Sequence, residues 1–383
     1  MLKMIENQVG VAAYQRWPHW IARLAAVLVF PLIWIGGLVT TWDAGMAVPD
    51  WPNTYGYNLF LYPVYDWFFG PWDLFVEHGH RLLASLAGLV VIALVGVAWR
   101  VDPRRWFRWL TVAALLLIIA QGILGGFRVT WDERTLAKIH GCVGPLFFAL
   151  ICGIAAVSGN WWFSAARLRK QLVSAATGSS SEVGGSQSEV GGSQSEVGGS
   201  QGSVAGQRRN AAFGQVNRGV LLTGIAIALV VFSYVQLVIG AHLRHIDVTA
   251  GANYYWQLVV AHITGALLVA VLALAAVALC RARSLAGLGI RWLVGAVFLL
   301  VMMQLGLGLG TWIAKFGVPA AHGLEAASSG FIIRERSFTQ VNLITAHMAT
   351  GSLILAAATV MAIRCLRLLW RSDRRVGNWL VRI

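Results

Sequence analysis

Eight runs of mainly apolar residues alternate with short polar stretches along the chain, near 19–41, 73–100, 106–128, 136–160, 216–241, 254–280, 289–314 and 340–370. Each holds roughly 20 residues or more, enough for a helix to cross a ~30 Å hydrocarbon core. The pattern predicts an all-α polytopic membrane protein with eight transmembrane helices. Pro31 lies inside the first run, where a membrane helix tolerates a kink.

The alternation breaks once. From Ser181 to Gln201 the heptapeptide Ser-Glu-Val-Gly-Gly-Ser-Gln occurs three times in tandem. One valine per heptad beside paired glycines cannot build a coiled-coil seam. The segment reads as a flexible cytoplasmic tether over 174–207. It divides the chain into an N-terminal half, 1–173, and a C-terminal half, 208–383. Each half is expected to form a four-helix bundle, the two related by pseudo-symmetry.

Composition agrees with a membrane protein: 57% hydrophobic and 12% charged, against roughly 45–50% and about 25% in soluble chains. The net charge of +14 does not point to nucleic acid, because the basic residues cluster in alternate loops. Arg100, Arg104, Arg105 and Arg108 follow the second span; Arg167, Arg169, Lys170, Arg208 and Arg209 follow the fourth. Arg281, Arg283 and Arg291 follow the sixth, and Arg364, Arg367, Arg371, Arg374 and Arg375 close the chain. Asp43 to Asp73 has four aspartates and neither lysine nor arginine. The positive-inside rule then puts both termini in the cytoplasm and the loops after odd spans outside. The residues before the first span, including Lys3, Glu6 and Arg16, carry no transit or cleavage signature. The four cysteines (Cys142, Cys152, Cys280 and Cys365) form no CxxC pair, so neither a disulfide framework nor a zinc site is indicated.

The halves repeat one another. A histidine lies one to two turns into each even span: His80, His140, His262 and His347. The odd spans carry glycines near their outer ends: Gly36-Gly37, Gln121 to Gly126, Gln236 to Gly240, and Gln304 to Gly308. All even spans run the same way, so the four imidazoles share one depth near the outer surface. Ionisable groups inside a span are costly and mark functional sites by default. Two imidazoles facing each other across a bundle supply both axial positions of a haem iron. Interhelical hydrogen bonding is the bland reading of any single membrane histidine; four in repeated pairs favour ligation. Copper or zinc also accepts imidazole, but two ligands per half leave a zinc shell unfilled. Glu77 breaks the symmetry. It lies three residues before His80, on the same helix face, where Val259 stands before His262. The N-terminal half is therefore expected to do chemistry and the C-terminal half to hold a permanent electron-transfer haem.

These residues also carry a resemblance. Gly36-Gly37-Leu38-Val39-Thr40 leads into Ala44 to Pro52, and Glu77-His78-Gly79-His80-Arg81 follows on the second span. With Gln121 to Arg128, His140, His262 and His347, the chain outside the tether resembles the haem A synthase family. The resemblance implies an oxidoreductase that converts a methyl group of haem O to a formyl group by successive oxidations. It implies that His80 and His140 face the substrate haem, that His262 and His347 ligate a haem b cofactor, and that Glu77 is the acidic residue of the oxidation. Arg128 and Arg244 are candidate propionate contacts. The first outer loop departs from the family's bacterial pattern: it has no cysteine, with Val48 where one is expected.

The expected setting is a bacterial plasma membrane, multi-pass, with the haem sites toward the outer face. Expected partners are haem O, lipid, an unidentified electron acceptor, and haem O synthase or oxidase assembly factors; a homo-oligomer is compatible and nucleic acid is not expected. A non-catalytic dihaem b-type electron carrier is the main alternative. It leaves Glu77 and the Ala44–Pro52 segment unexplained. His242 and His245, three residues apart at the outer end of the fifth span, read as a polar helix end rather than a metal site. His19, His78 and His322 have no counterpart in the repeat.

Overall fold

The computed structural model describes residues 16–165, 198–246, 251–281, 289–316 and 336–369. The described residues form helices α1 (Trp17–Thr41), α2 (Val64–Phe69), α3 (Trp72–Val101), α4 (Arg105–Thr130), α5 (Arg134–Ser158), α6 (Gly198–Arg244), α7 (Ala252–Cys280), α8 (Arg291–Phe316) and α9 (Phe338–Leu369). All but the short α2 hold a stretch long and apolar enough to cross a membrane; in α6 it is Asn217–Arg244. The spans read from hydropathy agree with these helices to within a few residues. Pro31 is accommodated inside α1, and Pro145 likewise inside α5. Most of the tether, Arg167 to Lys170, Arg371 to Arg375 and His322 lie outside the described residues; α6 begins at Gly198, within the tether's expected bounds.

Helix packing follows the internal repeat. α1 packs on α3, α3 on α4, α4 on α5, and α5 returns to α1. The same ring recurs as α6 on α7, α7 on α8, α8 on α9, and α9 on α6. In both rings the diagonal helices are not packed neighbours. The rings meet where α9 packs on α5 and α1 and where α5 touches α6. This is why α5 and α9 are the most buried spans.

Each ring is filled unevenly along its axis. In the first, Ala22, Val29, Leu94, Phe107, Ile151 and Ile154 form an apolar plug. In the second, Leu222, Leu229, Val297, Leu293 and Met361 do so. The plugs use the starts of α1, α4, α8 and of the membrane-spanning part of α6, and the ends of α3, α5, α7 and α9. The opposite ends carry the glycines and histidines. Where leucine and isoleucine fill one end of a bundle, small residues at the other leave room for polar rings and for whatever they bind.

Candidate functional site

The repeat puts His80 on α3 diagonally across from His140 on α5, and His262 on α7 across from His347 on α9. The His262 and His347 rings stand 6.2 Å apart between centroids, at an interplanar angle of 71°. His80 and His140 are close enough to interact electrostatically. The Nδ1 atoms of all four are buried without a hydrogen-bond partner. Buried polar atoms are nearly always satisfied; among the described residues the exception also falls on Gln121, Gln236, Gln304, Ser233 and Arg364, and it is its recurrence at four equivalent histidines that points to a built site.

The donor set fits a haem iron. Two metal–imidazole bonds of about 2 Å each, with the half-widths of the two rings, span about 6 Å between centroids. That is the separation of His262 and His347. Among the described residues no cluster of three or more His, Cys, Asp or Glu could hold a bare metal ion.

The first site has an additional polar wall. Glu77 is only 3% exposed, so it is no solvated helix-end carboxylate. Its Oε1 accepts from Arg81 Nη2 at 2.7 Å and its Oε2 from the Val48 amide at 3.0 Å. Arg81 also donates to the carbonyls of Val48 (2.6 Å), Asp50 (2.6 Å) and Asn53 (2.8 Å). His78, unassigned from the sequence, meets Thr54 Oγ1 at 2.9 Å through Nδ1 and packs against Tyr62 and Trp67. Three residues within two turns of α3 thus hold the loop between α1 and α2.

That loop is also braced within itself. Asp50 accepts from the amides of Tyr55 and Gly56, both at 2.8 Å, and the Tyr55 hydroxyl donates to the Ala47 carbonyl. The turn needs φ of 48° at Tyr55 and 80° at Gly56; glycine takes the second without steric cost. Partial desolvation opposes ionisation of Asp50, but those two amides and nearby Arg81 hold its carboxyl below the ordinary range. Trp51 lies flat on Gly126 of α4; a Cβ there would fall inside the indole.

The arginines expected at propionates line the same end. Arg128 on α4 reaches the Gly45 carbonyl at 3.5 Å. Arg244 on α6 crosses to the other half, donating to Gly37 O at 3.0 Å and to Thr41 Oγ1, with Met348 Sδ at 3.3 Å. His242 bonds the Tyr254 hydroxyl at 2.8 Å, in keeping with a polar helix end. Sequence reasoning missed the anchoring role of Arg81 and His78; their place one and two residues from Glu77 and His80 was the available signal.

Two diagonal histidine pairs at one end of a double four-helix ring, one beside a buried carboxylate, define a polytopic membrane protein with two imidazole-paired sites. Residues 71–181, which span α3 to α5, match the family model described as cytochrome oxidase assembly protein. Among curated proteins, the chain is 31% identical over 132 residues to a heme A synthase of Listeria monocytogenes, covering 33% of this chain and 39% of that protein. It is 29% identical over 143 residues to a heme A synthase of Geobacillus kaustophilus, covering 36% and 42%. It is also 32% identical over 133 residues to a protoheme IX farnesyltransferase of Halobacterium salinarum, covering 34% and 27%. The chain thus spans less than half the length of these relatives. The matches support the haem A synthase family for this chain.

Proposed function

We propose that this protein is a haem A synthase: it binds haem O in the N-terminal half and oxidises one ring methyl to a formyl group. The observation that carries the reading is the asymmetry between two otherwise repeated sites. Both have a diagonal histidine pair, but only the first has a buried Glu77 beside it, with Val259 at the equivalent place. The relatives named heme A synthase support the same reading, and the relative named protoheme IX farnesyltransferase fits a farnesylated haem as substrate.

In this mechanism His80 and His140 orient the substrate so that a methyl group faces the wall formed by Glu77, Arg81 and the Val48 amide. As electrons pass from the substrate to an external electron acceptor, two for each oxidation, Glu77 stabilises positive charge developing at the methyl carbon or accepts the proton released as water adds. Arg81 and the Val48 amide fix the carboxylate in one orientation, so its field is preorganised. The loop braced by Asp50 and Trp51 covers this wall and limits access of bulk water. His262 and His347 hold haem b, which supplies a one-electron redox centre when bound. Arg128 and Arg244 place guanidinium groups where carboxylates of either haem arrive. Both sites face the outer surface of a bacterial plasma membrane, and the two halves function as domains 1–173 and 208–383.

The test is haem extraction and reversed-phase chromatography after expression in a host that makes haem O but lacks haem A. Haem A from the wild type, lost or stalled at the alcohol in Glu77→Ala, is the expected result. Haem A from both proteins would remove Glu77 from the chemistry. Haem B alone from a folded, haem-loaded wild type would overturn the reading in favour of a dihaem electron carrier.

A further inference from the structure

Each of the four half-buried imidazoles rests against a different glycine on the preceding membrane-spanning helix, and in the same pose. A Cβ built on Gly36 of α1 would lie 3.0 Å from His80 Cε1, and one on Gly125 of α4 would lie 3.3 Å from His140 Cε1. On Gly240 of α6 the distance to His262 Cε1 is 3.3 Å, and on Gly308 of α8 it is 3.1 Å to His347 Cε1. Nδ1 is next in every case, at 3.5, 3.7, 3.9 and 3.6 Å in the same order. Nε2 follows at 3.8, 4.0, 4.0 and 3.9 Å, so the Nδ1–Cε1–Nε2 edge of each ring faces its glycine. Four helix pairs thus repeat one ring orientation.

This contact is specific to one glycine per helix. Gly122 on α4 and Gly306 on α8 have nothing within 4 Å of a built Cβ. Gly37, adjacent to Gly36, faces Met348 and Thr345 instead, and Gly126, adjacent to Gly125, faces Trp51. The same Cε1-first contact also occurs between Gly159 and His19; what sets the other four apart is their recurrence at equivalent positions of the repeat.

We propose that Gly36, Gly125, Gly240 and Gly308 are positioning residues, each forming a notch that receives the Nδ1–Cε1–Nε2 edge of an imidazole and so fixes the orientation of the ring for ligation. The inference rests on the haem-ligating reading of the histidines and deepens it. A methyl group in the notch meets Cε1 at a distance few real contacts reach, so the ring must move by some tenths of an ångström or rotate. Rotation displaces Nε2 from the iron axis while the helices stay in place. Three notches also have a glutamine one turn earlier: Gln121, Gln236 and Gln304, each with a buried Oε1 that has no partner. Gln304 Nε2 lies 3.4 Å from His347 Nε2. The notch at Gly36 has Leu32 in that place, and the Leu32 backbone lies close to the His80 ring.

The experiment uses the full chain with haem B supplied. Wild type, Gly240→Ala, Gly308→Ala and the control Gly306→Ala are purified and examined by absorption and electron paramagnetic resonance, with haem retention measured by titration against apomyoglobin. The expected result is a low-spin bis-imidazole signature in wild type and Gly306→Ala. Gly240→Ala and Gly308→Ala should show altered low-spin signals or a high-spin fraction, with haem retention weakened about 10- to 100-fold, the usual cost of lost outer-shell support. Unchanged spectra and retention in both notch variants would overturn the inference. So would failure of both to fold while Gly306→Ala folds, because the glycines would then serve packing alone. Absence of any bis-imidazole signal from wild type would instead sink the haem-ligating reading on which the inference rests.

Discussion

Arg244 of α6 donates to the backbone oxygen of Gly37 on α1 at 3.0 Å, across the boundary between the two halves. The same guanidinium reaches Thr41 Oγ1 and Met348 Sδ. Gly37 in turn packs on Met348 and Thr345 of α9, while its neighbour Gly36 touches His80. The Gly36-Gly37 pair is therefore wedged between the residue after His347 and the ring of His80. Removing the guanidinium strips partly buried charge-assisted bonds from this junction, each such bond contributing about 1.5–3 kcal/mol. Arg244→Met should lower stability by at least about 2 kcal/mol on that scale, measured by thermal unfolding in detergent. Arg244→Lys should recover little of it, since a single ammonium cannot span three acceptors. Full recovery by lysine would show that charge alone matters at the junction.

Arg81 ties four acceptors to one side chain: Glu77 and the carbonyls of Val48, Asp50 and Asn53. Arg81→Ala should release the whole segment from Val48 to Asn53. Glu77→Gln should release less, because the amide oxygen still accepts from Val48 N–H. Hydrogen exchange checks this at the amides of Val48, Tyr55 and Gly56, which donate to Glu77 and Asp50. We expect faster exchange at all three in Arg81→Ala, and little change at any of them in Glu77→Gln. Equal exchange in wild type and Arg81→Ala would mean that Trp51 and the loop's internal bonds suffice.

The helices and the four histidines were legible because both signals are local. A span declares itself by twenty apolar residues in a row, and a histidine within one stands out against leucine and valine. Pairing followed from the internal repeat, since equivalent positions on parallel helices share a depth. Contacts made at long range were not legible. Nothing in Gly36-Gly37 says which glycine meets His80 and which meets Met348; that depends on how α1 is rotated between α3 and α9. Arg244 was read as a propionate contact because it lies at the right depth. Its reach into α1 spans a sequence separation of more than two hundred residues, with the tether between. Likewise, loop composition around Asp50 suggests a turn but cannot show that α3 grips it by Arg81 and His78.

The second histidine pair should be separable from the first. His262 and His347 lie on α7 and α9, whose core packing is the apolar plug at the far end of the bundle. Their loss should empty that site without unfolding the chain. We expect His262→Ala or His347→Ala to reduce bound haem B and abolish its bis-imidazole spectrum. His80→Ala should leave that spectrum intact. Haem stoichiometry on the purified variants measures the effect. Retention of the spectrum in His347→Ala would mean that the 6.2 Å ring pair is a packing contact.

A pH effect is expected at the junction as well. His245 follows α6, partly buried at the end where Arg244 crosses between the halves. Burial first, then the charges of Arg244, Lys138, Arg128 and Arg134, push its pKa from 6.5 down to about 4. The folded protein therefore binds fewer protons at this position than the unfolded chain between those two values. Stability rises with pH wherever the unfolded state holds more protons. The contribution is thus fully present above pH 6.5, is lost progressively as the pH falls, and is gone below about 4. Asp50 and Glu133, whose carboxyls are held below their ordinary range, lose stability in the same direction but at lower pH. Unfolding midpoints recorded from about pH 7 to about pH 4 for wild type and His245→Gln should therefore diverge, the variant declining less steeply. Parallel curves would mean that the imidazole becomes protonated in the folded state without penalty, its charge accommodated beside Arg244.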